Sequence, residues 1–198
     1  MTRMRVIGGS ARGLVLRGPE RPARPTSGRV REALFAMLES AGADFERVVD
    51  LYAGSGALGI EALSRGAGHC VFVERDRPAC TLIRANLQRA RMEDRAVVVV
   101  GSVGRWRAES DERLTLVLAD PPYDDARAWS DIERSLEGAL EPGAMIALEH
   151  AARVEPPSAL LVTPLWRRRR HGDSAIAIYR ALAIYRESGY LDSGEAAE

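Results

Sequence analysis

Hydrophobic residues in this chain form short buried-type runs that alternate with segments of helical periodicity. The runs predict strands, and the periodic segments predict the helices between them. The predicted strands are Val48–Tyr52, Cys70–Glu74, Ala96–Val100, Leu114–Ala119 and Ala144–Glu149. The predicted helices run from Thr26 or Ser27 to Ser40, from Ile60 to Arg65, from Pro78 to Met92 and from Ser130 to Leu140. This alternation is typical of a doubly wound α/β domain with a mostly parallel sheet.

Two hairpins are predicted outside this alternating region. The first spans Met4 to Leu16 and turns at its glycines. The second pairs Leu160–Trp166 with Ser174–Ala181 across a Gly172-Asp173 turn. We therefore expect a small N-terminal hairpin and an antiparallel edge on the main sheet.

Length and composition agree with one compact catalytic or binding unit. The chain has 198 residues, of which 46% are hydrophobic, enough for a single α/β core. We expect residues 1–24 to form an arginine-rich hairpin extension, residues 25–186 the main domain and residues 187–198 a flexible tail. No run of eighteen apolar residues and no apolar signal core occur, which predicts a cytoplasmic protein without a membrane partner. The two cysteines and three histidines lack metal-ligand spacing, so we expect no metal, and we expect a monomer.

A glycine-rich turn directly follows the first strand of the main domain. Ala53–Gly59 reads A-G-S-G-A-L-G and opens into the next helix. Glycines let a ligand approach the backbone, and a helix N-terminus offers unpaired N–H groups. The following strand ends in Glu74, 20 residues after Gly54, and a carboxylate at this spacing suits the two hydroxyls of a ribose. The pattern predicts a nucleotide cofactor and fits NAD as well as S-adenosylmethionine.

The tetrapeptide Asp120-Pro121-Pro122-Tyr123 follows the fourth strand. Its prolines lack N–H groups and stiffen the backbone, so its carbonyls are not engaged in a helix. The exocyclic amine of a base is a poor nucleophile because its lone pair is delocalised into the ring. The Asp120 carboxylate and the Pro121 carbonyl could hold the two N–H groups of such an amine, while Tyr123 stacks on the base. An Asp-Pro turn without chemistry is the alternative, but methyl transfer would explain the tetrapeptide and hydride transfer would not.

The net charge is zero, yet the positive charge is concentrated in two segments. All 28 basic residues are arginine; eight, with one glutamate, lie between Met1 and Arg31, and seven, with two acidic residues, lie between Arg153 and Arg186. Guanidinium groups bind phosphate in a bidentate manner and stack on bases, which favours an RNA partner. Solvated arginines without an RNA contact are the alternative. The arginines expected to contact RNA are Arg5, Arg12, Arg24, Arg167, Arg168, Arg169 and Arg170.

Five groups of residues together carry a family resemblance. They are Arg5–Gly9 (RVIGG), Arg24–Thr26 with Arg29–Phe35 (RPT and RVREALF), Asp50–Ala67, Asp120–Tyr123 and Gly172–Ser174. With them the chain resembles the RsmD family of bacterial 16S ribosomal RNA guanine-N2 methyltransferases, from about Arg5 to Tyr179. The resemblance implies a Rossmann-like class I methyltransferase fold with a seven-stranded, mostly parallel sheet whose last strand is antiparallel.

The resemblance also implies roles for individual residues. The target guanine would lie at Asp120, Pro121, Pro122 and Tyr123. S-adenosylmethionine, with S-adenosylhomocysteine as product, would be bound by Thr26, Arg29, Asp50, Tyr52, Gly54, Ser55, Gly56, Glu74, Arg75, Ser102 and Asp120. Ser102 stands where similar enzymes usually carry an aspartate for the adenine amino group, and Ser27-Gly28 stands where the family more often has Thr-Asp. The implied partner is 16S ribosomal RNA or the assembling small ribosomal subunit.

Several other functions share parts of this pattern. A methyltransferase acting on adenine N6 or cytosine N4 of nucleic acid, or on a protein glutamine, would use a similar tetrapeptide. An NAD-dependent dehydrogenase would share the glycine turn and Glu74, but no acid suited to hydride chemistry follows the fourth strand. A non-catalytic RNA-binding module would explain the arginines but not the cofactor turn beside Asp120.

Overall fold

The computed structural model describes residues 3–18, 28–109 and 113–181. In these ranges the elements are β1 (Arg3–Arg5), β2 (Val15–Arg17), α1 (Gly28–Ser40), β3 (Arg47–Leu51), α2 (Ala57–Ser64), β4 (His69–Glu74), α3 (Arg77–Ala90), β5 (Ala96–Val100), β6 (Leu114–Ala119), α4 (Ala128–Leu136), β7 (Leu140–Ala151), β8 (Ala159–Leu160), β9 (Thr163–His171) and β10 (Ser174–Arg180). A short 3-10 helix, Glu93–Arg95, precedes β5.

The main sheet has the strand order β5-β4-β3-β6-β7-β10-β9-β8. The first five strands in this order are parallel, and β10 is antiparallel to both of its neighbours. Helices cover both faces, so β6 is buried at all six positions. The mostly parallel α/β sheet is confirmed. In the described residues it has eight strands rather than the expected seven, because the two-residue β8 pairs with the start of β9.

The predicted boundary between the fourth helix and the fifth strand of the main domain is wrong, and it lies beside glycines and a proline. Helix α4 ends at Leu136 rather than Leu140, since Gly138 turns the chain at φ 74°. The expected helix stop at Pro142-Gly143 instead lies inside β7. The pairing between β6 and β7 shifts register at this point. Pro142 and Gly143 therefore do not have to form regular backbone hydrogen bonds with β6.

Strand β9 is also displaced from its predicted position. It begins at Thr163 and continues to His171, whereas the sequence pattern suggested Leu160–Trp166. Because β10 offers backbone partners along this length, the four arginines Arg167–Arg170 become part of the strand and pair with Ala175–Ile178. Consecutive residues of a strand face opposite sides of the sheet, so the arginines divide into two pairs.

The N-terminal hairpin is confirmed as β1 paired with β2. It packs on the main domain through buried Met4, Val6 and Leu16. The carboxylate of Glu61, in α2, accepts the backbone N–H groups of Ile7 and Gly8, both at 2.8 Å. A buried carboxylate with such partners fixes the hairpin against α2. The expected boundary between residues 24 and 25 lies outside the described residues.

Candidate active site at the carboxyl edge of the sheet

The site begins with the order of three neighbouring strands. The chain runs from β3 outward to β4 and β5, then crosses back to place β6 on the other side of β3. In such sheets the loops after the two strands at the crossing point diverge and leave a crevice. Leu51 pairs with Ala119, so Tyr52 and Asp120, the next residues, stand side by side at this crevice.

A cavity of about 720 Å³ occupies this edge of the sheet. One end is formed by residues that follow β3, β4 and β5, and the other end by the loop after β6 and the end of β7. Of the residues predicted to bind cofactor or base, those that line it are Tyr52, Gly54, Glu74, Arg75, Ser102, Asp120, Pro121, Pro122 and Tyr123. The structure therefore brings the two sequence motifs into one cavity.

Glu74 connects the end of β4 to the glycine turn. One carboxylate oxygen accepts the backbone N–H of Gly54 at 2.8 Å, and the other accepts that of Asp76 at 2.8 Å. Each carboxylate oxygen can accept two hydrogen bonds, so both oxygens retain a position for a ligand hydroxyl. Gly54 has φ 55°, and an added Cβ would approach only the Tyr52 carbonyl oxygen, at 3.9 Å. The space beside Gly54 is open to a ligand.

Asp50 lies beneath the glycine turn instead of lining the cavity. It is only 1% exposed, and its carboxylate accepts the Gly59 N–H in α2 at 2.8 Å. Burial raises the pKa of Asp50 well above its usual range, and the negative charges of Asp120 and Glu74 add to this rise. Its other carboxylate oxygen has no hydrogen-bond partner among the described residues. This geometry supports a role in holding α2 rather than direct contact with a cofactor.

Three further residues predicted to bind cofactor also lie away from the cavity lining. Gly56 is buried at the start of α2 with φ 78°, where an added Cβ would lie 3.2 Å from Ile83. Ser55 contacts Met4 of the hairpin at 3.6 Å. Arg29 is exposed in the first turn of α1. Thr26 and Arg24 lie outside the described residues.

The tetrapeptide after β6 is shaped by turns and by contacts to β7 and β10. The Pro122 carbonyl accepts the Asp125 N–H at 3.0 Å, and the Pro121 carbonyl does not take part in this turn. The Tyr123 hydroxyl donates to the Glu149 carboxylate at 2.7 Å and lies 2.6 Å from the Ser174 hydroxyl. Burial raises the pKa of Tyr123 to about 12, and its hydrogen bond to Glu149 also raises it. Tyr123 therefore stays neutral and its ring is held at the cavity wall.

Sequence reasoning did not find Glu149. This residue is 3% exposed and lines the cavity near Asp120, and Ser174 also donates to it at 2.8 Å. The sequence feature that could have indicated Glu149 is its position at the end of the apolar run Ala144–Leu148. This run forms the strand next to the one that precedes Asp120. Ser174 was predicted as the first residue of a hairpin strand and as part of the Gly172–Ser174 family segment, but not as a site residue.

The predicted RNA-binding arginines have different surroundings. Arg168 is paired with Glu155 and also donates to the carbonyls of Ala152 and Val154, each at 3.2 Å. Arg167 lies over the Trp166 ring, with its guanidinium carbon 4.5 Å from the ring centroid. Arg170 lines a depression of about 390 Å³ together with Tyr123, Arg153 and Asp173, and its Nε donates to the Gly172 carbonyl at 2.9 Å. Arg153, which was not singled out from the sequence, thus lies with Arg170 beside the tetrapeptide.

Arg5 and Arg12 are both exposed on the N-terminal hairpin, where Arg5 donates to the Gly13 carbonyl at 2.8 Å. Within the described ranges, no cluster of three or more metal-ligating side chains was found. No helix within the same ranges is both long and apolar enough to cross a membrane.

Residues 4–180 match the family model described as Conserved hypothetical protein 95, which represents the RsmD family. The chain belongs to this family. It is 35% identical over 184 residues to "Putative rRNA methyltransferase YlbH" of Bacillus subtilis, which covers 89% of this chain and 98% of that protein. It is 39% identical over 121 residues to "Ribosomal RNA small subunit methyltransferase D" of Escherichia coli, which covers 61% of this chain and 60% of that protein.

A solved structure of a methyltransferase has the same fold. The structure of "Putative methyltransferase yhhF from Escherichia coli" matches with a TM-score of 0.79 and 32% identity, over 92% of this chain and 99% of that one. The Rossmann-like class I methyltransferase fold expected from the sequence is therefore confirmed.

Proposed function

We propose that this RsmD-family protein transfers a methyl group from S-adenosylmethionine to the exocyclic N2 amine of a guanine in small-subunit (16S) ribosomal RNA. The observation that carries the proposal is the single cavity that joins Glu74 and Gly54 at one end to Asp120 and Tyr123 at the other. A nucleotide-like cofactor and a target base can meet there at the crossing point of the sheet.

The cofactor end fits S-adenosylmethionine. The two Glu74 oxygens each retain an acceptor position suited to a ribose hydroxyl, and Gly54 leaves space for close approach. Gly101 and Ser102 line the wall next to Glu74, where the Ser102 hydroxyl can accept or donate one hydrogen bond to the adenine edge. When bound, S-adenosylmethionine supplies an electrophilic methyl group on a positively charged sulfur.

The tetrapeptide end fits an amine that must be held and desolvated. The Asp120 carboxylate and the Pro121 carbonyl would accept the two N–H groups of the amine, so that its lone pair turns out of the ring plane toward the methyl group. Tyr123, fixed by Glu149, would support the base by stacking. A strong base is not required, because the amine loses a proton readily after methylation. Positioning and the negative charge of Asp120 would supply most of the catalysis.

The arrangement of arginines supports RNA as the substrate. Arg153 and Arg170 flank the depression next to Tyr123, where the phosphates of a nucleotide inserted into the cavity would pass. The curated relatives named as ribosomal RNA methyltransferases support the same substrate class. Insertion of the target base would require it to leave its stack, as in other enzymes that modify bases.

A methyltransferase for another amine and an NAD-binding dehydrogenase are the competing functions. Thermal unfolding with S-adenosylhomocysteine or NADH distinguishes a dehydrogenase from the proposed methyltransferase. Only S-adenosylhomocysteine should raise the melting temperature. Mass-spectrometric mapping of ribosomal RNA from a strain without the gene, before and after treatment with the purified protein, then tests the target. We expect one guanine to gain a methyl group at N2. A methyl group only on adenine, cytosine or protein would contradict the proposal.

A further inference from the structure

Glu149 is a buried carboxylate whose two oxygens have different environments. One oxygen accepts hydrogen bonds from Tyr123 at 2.7 Å and from Ser174 at 2.8 Å. The other has no hydrogen-bond partner among the described residues, although the residue is only 3% exposed and lines the cavity. A carboxylate oxygen shielded from water without a partner is costly, so a donor from a ligand would stabilise it.

The register of the sheet places Glu149 next to Asp120. Ala119 of β6 pairs with Leu148 of β7, and Asp120 and Glu149 are the next residues along the two parallel strands. Neighbouring strands lie about 4.8 Å apart, so these two acidic residues lie side by side at the same edge of the sheet. Two adjacent acceptors of this kind match a ligand edge with two adjacent donors.

We propose that the partnerless Glu149 oxygen accepts the N1–H of the target guanine and thereby selects guanine over other bases. The proposal rests on the function proposed above and adds a specificity residue to it. Guanine presents N1–H directly beside its N2 amine, so Asp120 can hold the amine while Glu149 holds N1–H. Adenine has an acceptor at N1, whose lone pair would face the carboxylate and be repelled.

The test uses an analogue that differs at N1 while keeping the amine. 2-Aminopurine has an amine at C2 but an acceptor at N1, and it lacks the oxygen at C6. The nucleotide that mass spectrometry identifies is replaced by 2-aminopurine in one RNA, and a matched RNA keeps guanine. Single-turnover methylation rates with saturating S-adenosylmethionine give a guanine to 2-aminopurine rate ratio for each enzyme.

For the parent enzyme we expect the guanine RNA to react faster by about a hundredfold or more, because a buried acceptor left facing another acceptor is strongly disfavoured. Glu149→Gln should lower this ratio at least about tenfold, since the amide removes the charge and can present a donor to the N1 acceptor. Glu149→Ala, which removes the acceptor altogether, should lower the ratio in the same direction.

Ser174→Ala is the matched control. It removes a donor from the engaged oxygen of Glu149 and does not alter the partnerless one. We expect it to change the two rates by the same factor and to leave their ratio unchanged. If Glu149 only supports Tyr123, Glu149→Gln should also change the two rates by the same factor. An unchanged guanine to 2-aminopurine ratio in Glu149→Gln would therefore overturn the proposal.

The parent enzyme alone also provides a decisive measurement, even if a Glu149 variant does not fold. Equal parent rates on the two RNAs would overturn the specificity role while leaving the methyltransferase function intact. A parent enzyme that binds S-adenosylhomocysteine but methylates no ribosomal RNA would overturn the proposed function, and the specificity role with it.

Discussion

Gly54 donates its backbone N–H to the Glu74 carboxylate at 2.8 Å, which fixes the glycine turn to the end of the neighbouring strand. Glu74 thereby has two roles in one side chain. It holds the turn in position and presents the remaining acceptor positions of its carboxylate to the cavity.

The first prediction concerns this contact. Glu74→Ala should weaken S-adenosylmethionine binding by roughly 1.5–3 kcal/mol, the range for hydrogen bonds to a charged group, because the ribose loses its acceptor. Isothermal titration calorimetry provides the affinity, and circular dichroism should show that the fold is retained. Glu74→Gln is the matched control, which keeps one acceptor oxygen and should lose less. Equal affinity in parent and Ala variant would refute the ribose assignment.

A second prediction concerns Asp50, which lies behind the turn. Asp50→Asn should retain or raise the free energy of unfolding at neutral pH, because the amide oxygen still accepts the Gly59 N–H and no charge is buried. Asp50→Ala should lose roughly 1–3 kcal/mol, because that N–H is left without a partner. Urea unfolding measures both. An Asn variant as unstable as the Ala variant would show that the charge of Asp50 is needed for folding.

The third prediction is chemical. Asp120→Ala should still bind S-adenosylmethionine yet lose methylation by about a hundredfold or more, the usual effect of removing one preorganised partner of a reacting group. Asp120→Asn keeps an acceptor oxygen without the charge, so its rate should fall between those of the parent and the Ala variant. Single-turnover methylation of RNA measures the rates. An Ala variant with the parent rate would refute the active-site assignment.

The fourth prediction distinguishes two arginines of one strand. Arg168 and Arg170 lie on the same face of β9, but Arg168 is paired with Glu155 and Arg170 lies in the depression beside Tyr123. Arg170→Ala should weaken RNA binding and reduce the slope of log K against log salt by about 0.7–0.9, the effect of one lost phosphate contact. Arg168→Ala changes the charge equally and should leave the slope unchanged. Equal changes of the slope in both variants would show that Arg170 acts only through the overall charge of the protein and makes no specific phosphate contact.

The fifth prediction concerns pH. His150 is 4% exposed, and burial lowers its pKa below the usual value. The unfolded chain therefore binds a proton at His150 at a higher pH than the folded chain does. The stability contributed by neutral His150 is present above about pH 6.5, the usual pKa of histidine, and is lost as the pH falls through the lower pKa of the folded state. Urea unfolding between pH 5 and 8 should show a smaller decline in His150→Gln than in the parent. Parallel curves for the two proteins would contradict this.

The sequence by itself determined the chemistry-bearing segments. Strands β5 and β6 have the predicted bounds because uninterrupted apolar runs between polar segments have few alternatives in a parallel sheet. The glycine turn and the Asp120–Tyr123 tetrapeptide are local patterns, because the backbone properties of glycine and proline act within a few residues. Glu74 could be placed at a strand end for the same reason.

Only the tertiary structure decided which of these residues meet. Asp50 lies within the first predicted strand of the main domain and Glu74 ends the second, and both were expected at the cofactor site, yet the packing of α2 buries Asp50 while Glu74 lines the cavity. The pairing of Glu149 with Tyr123 and Ser174 joins residues that are 26 and 25 positions apart, a relationship set by strand order and register. The arginine run reads as one basic patch in the sequence, but strand alternation and the Glu155 ion pair divide it. Such contacts depend on distant segments, so no local pattern specifies them.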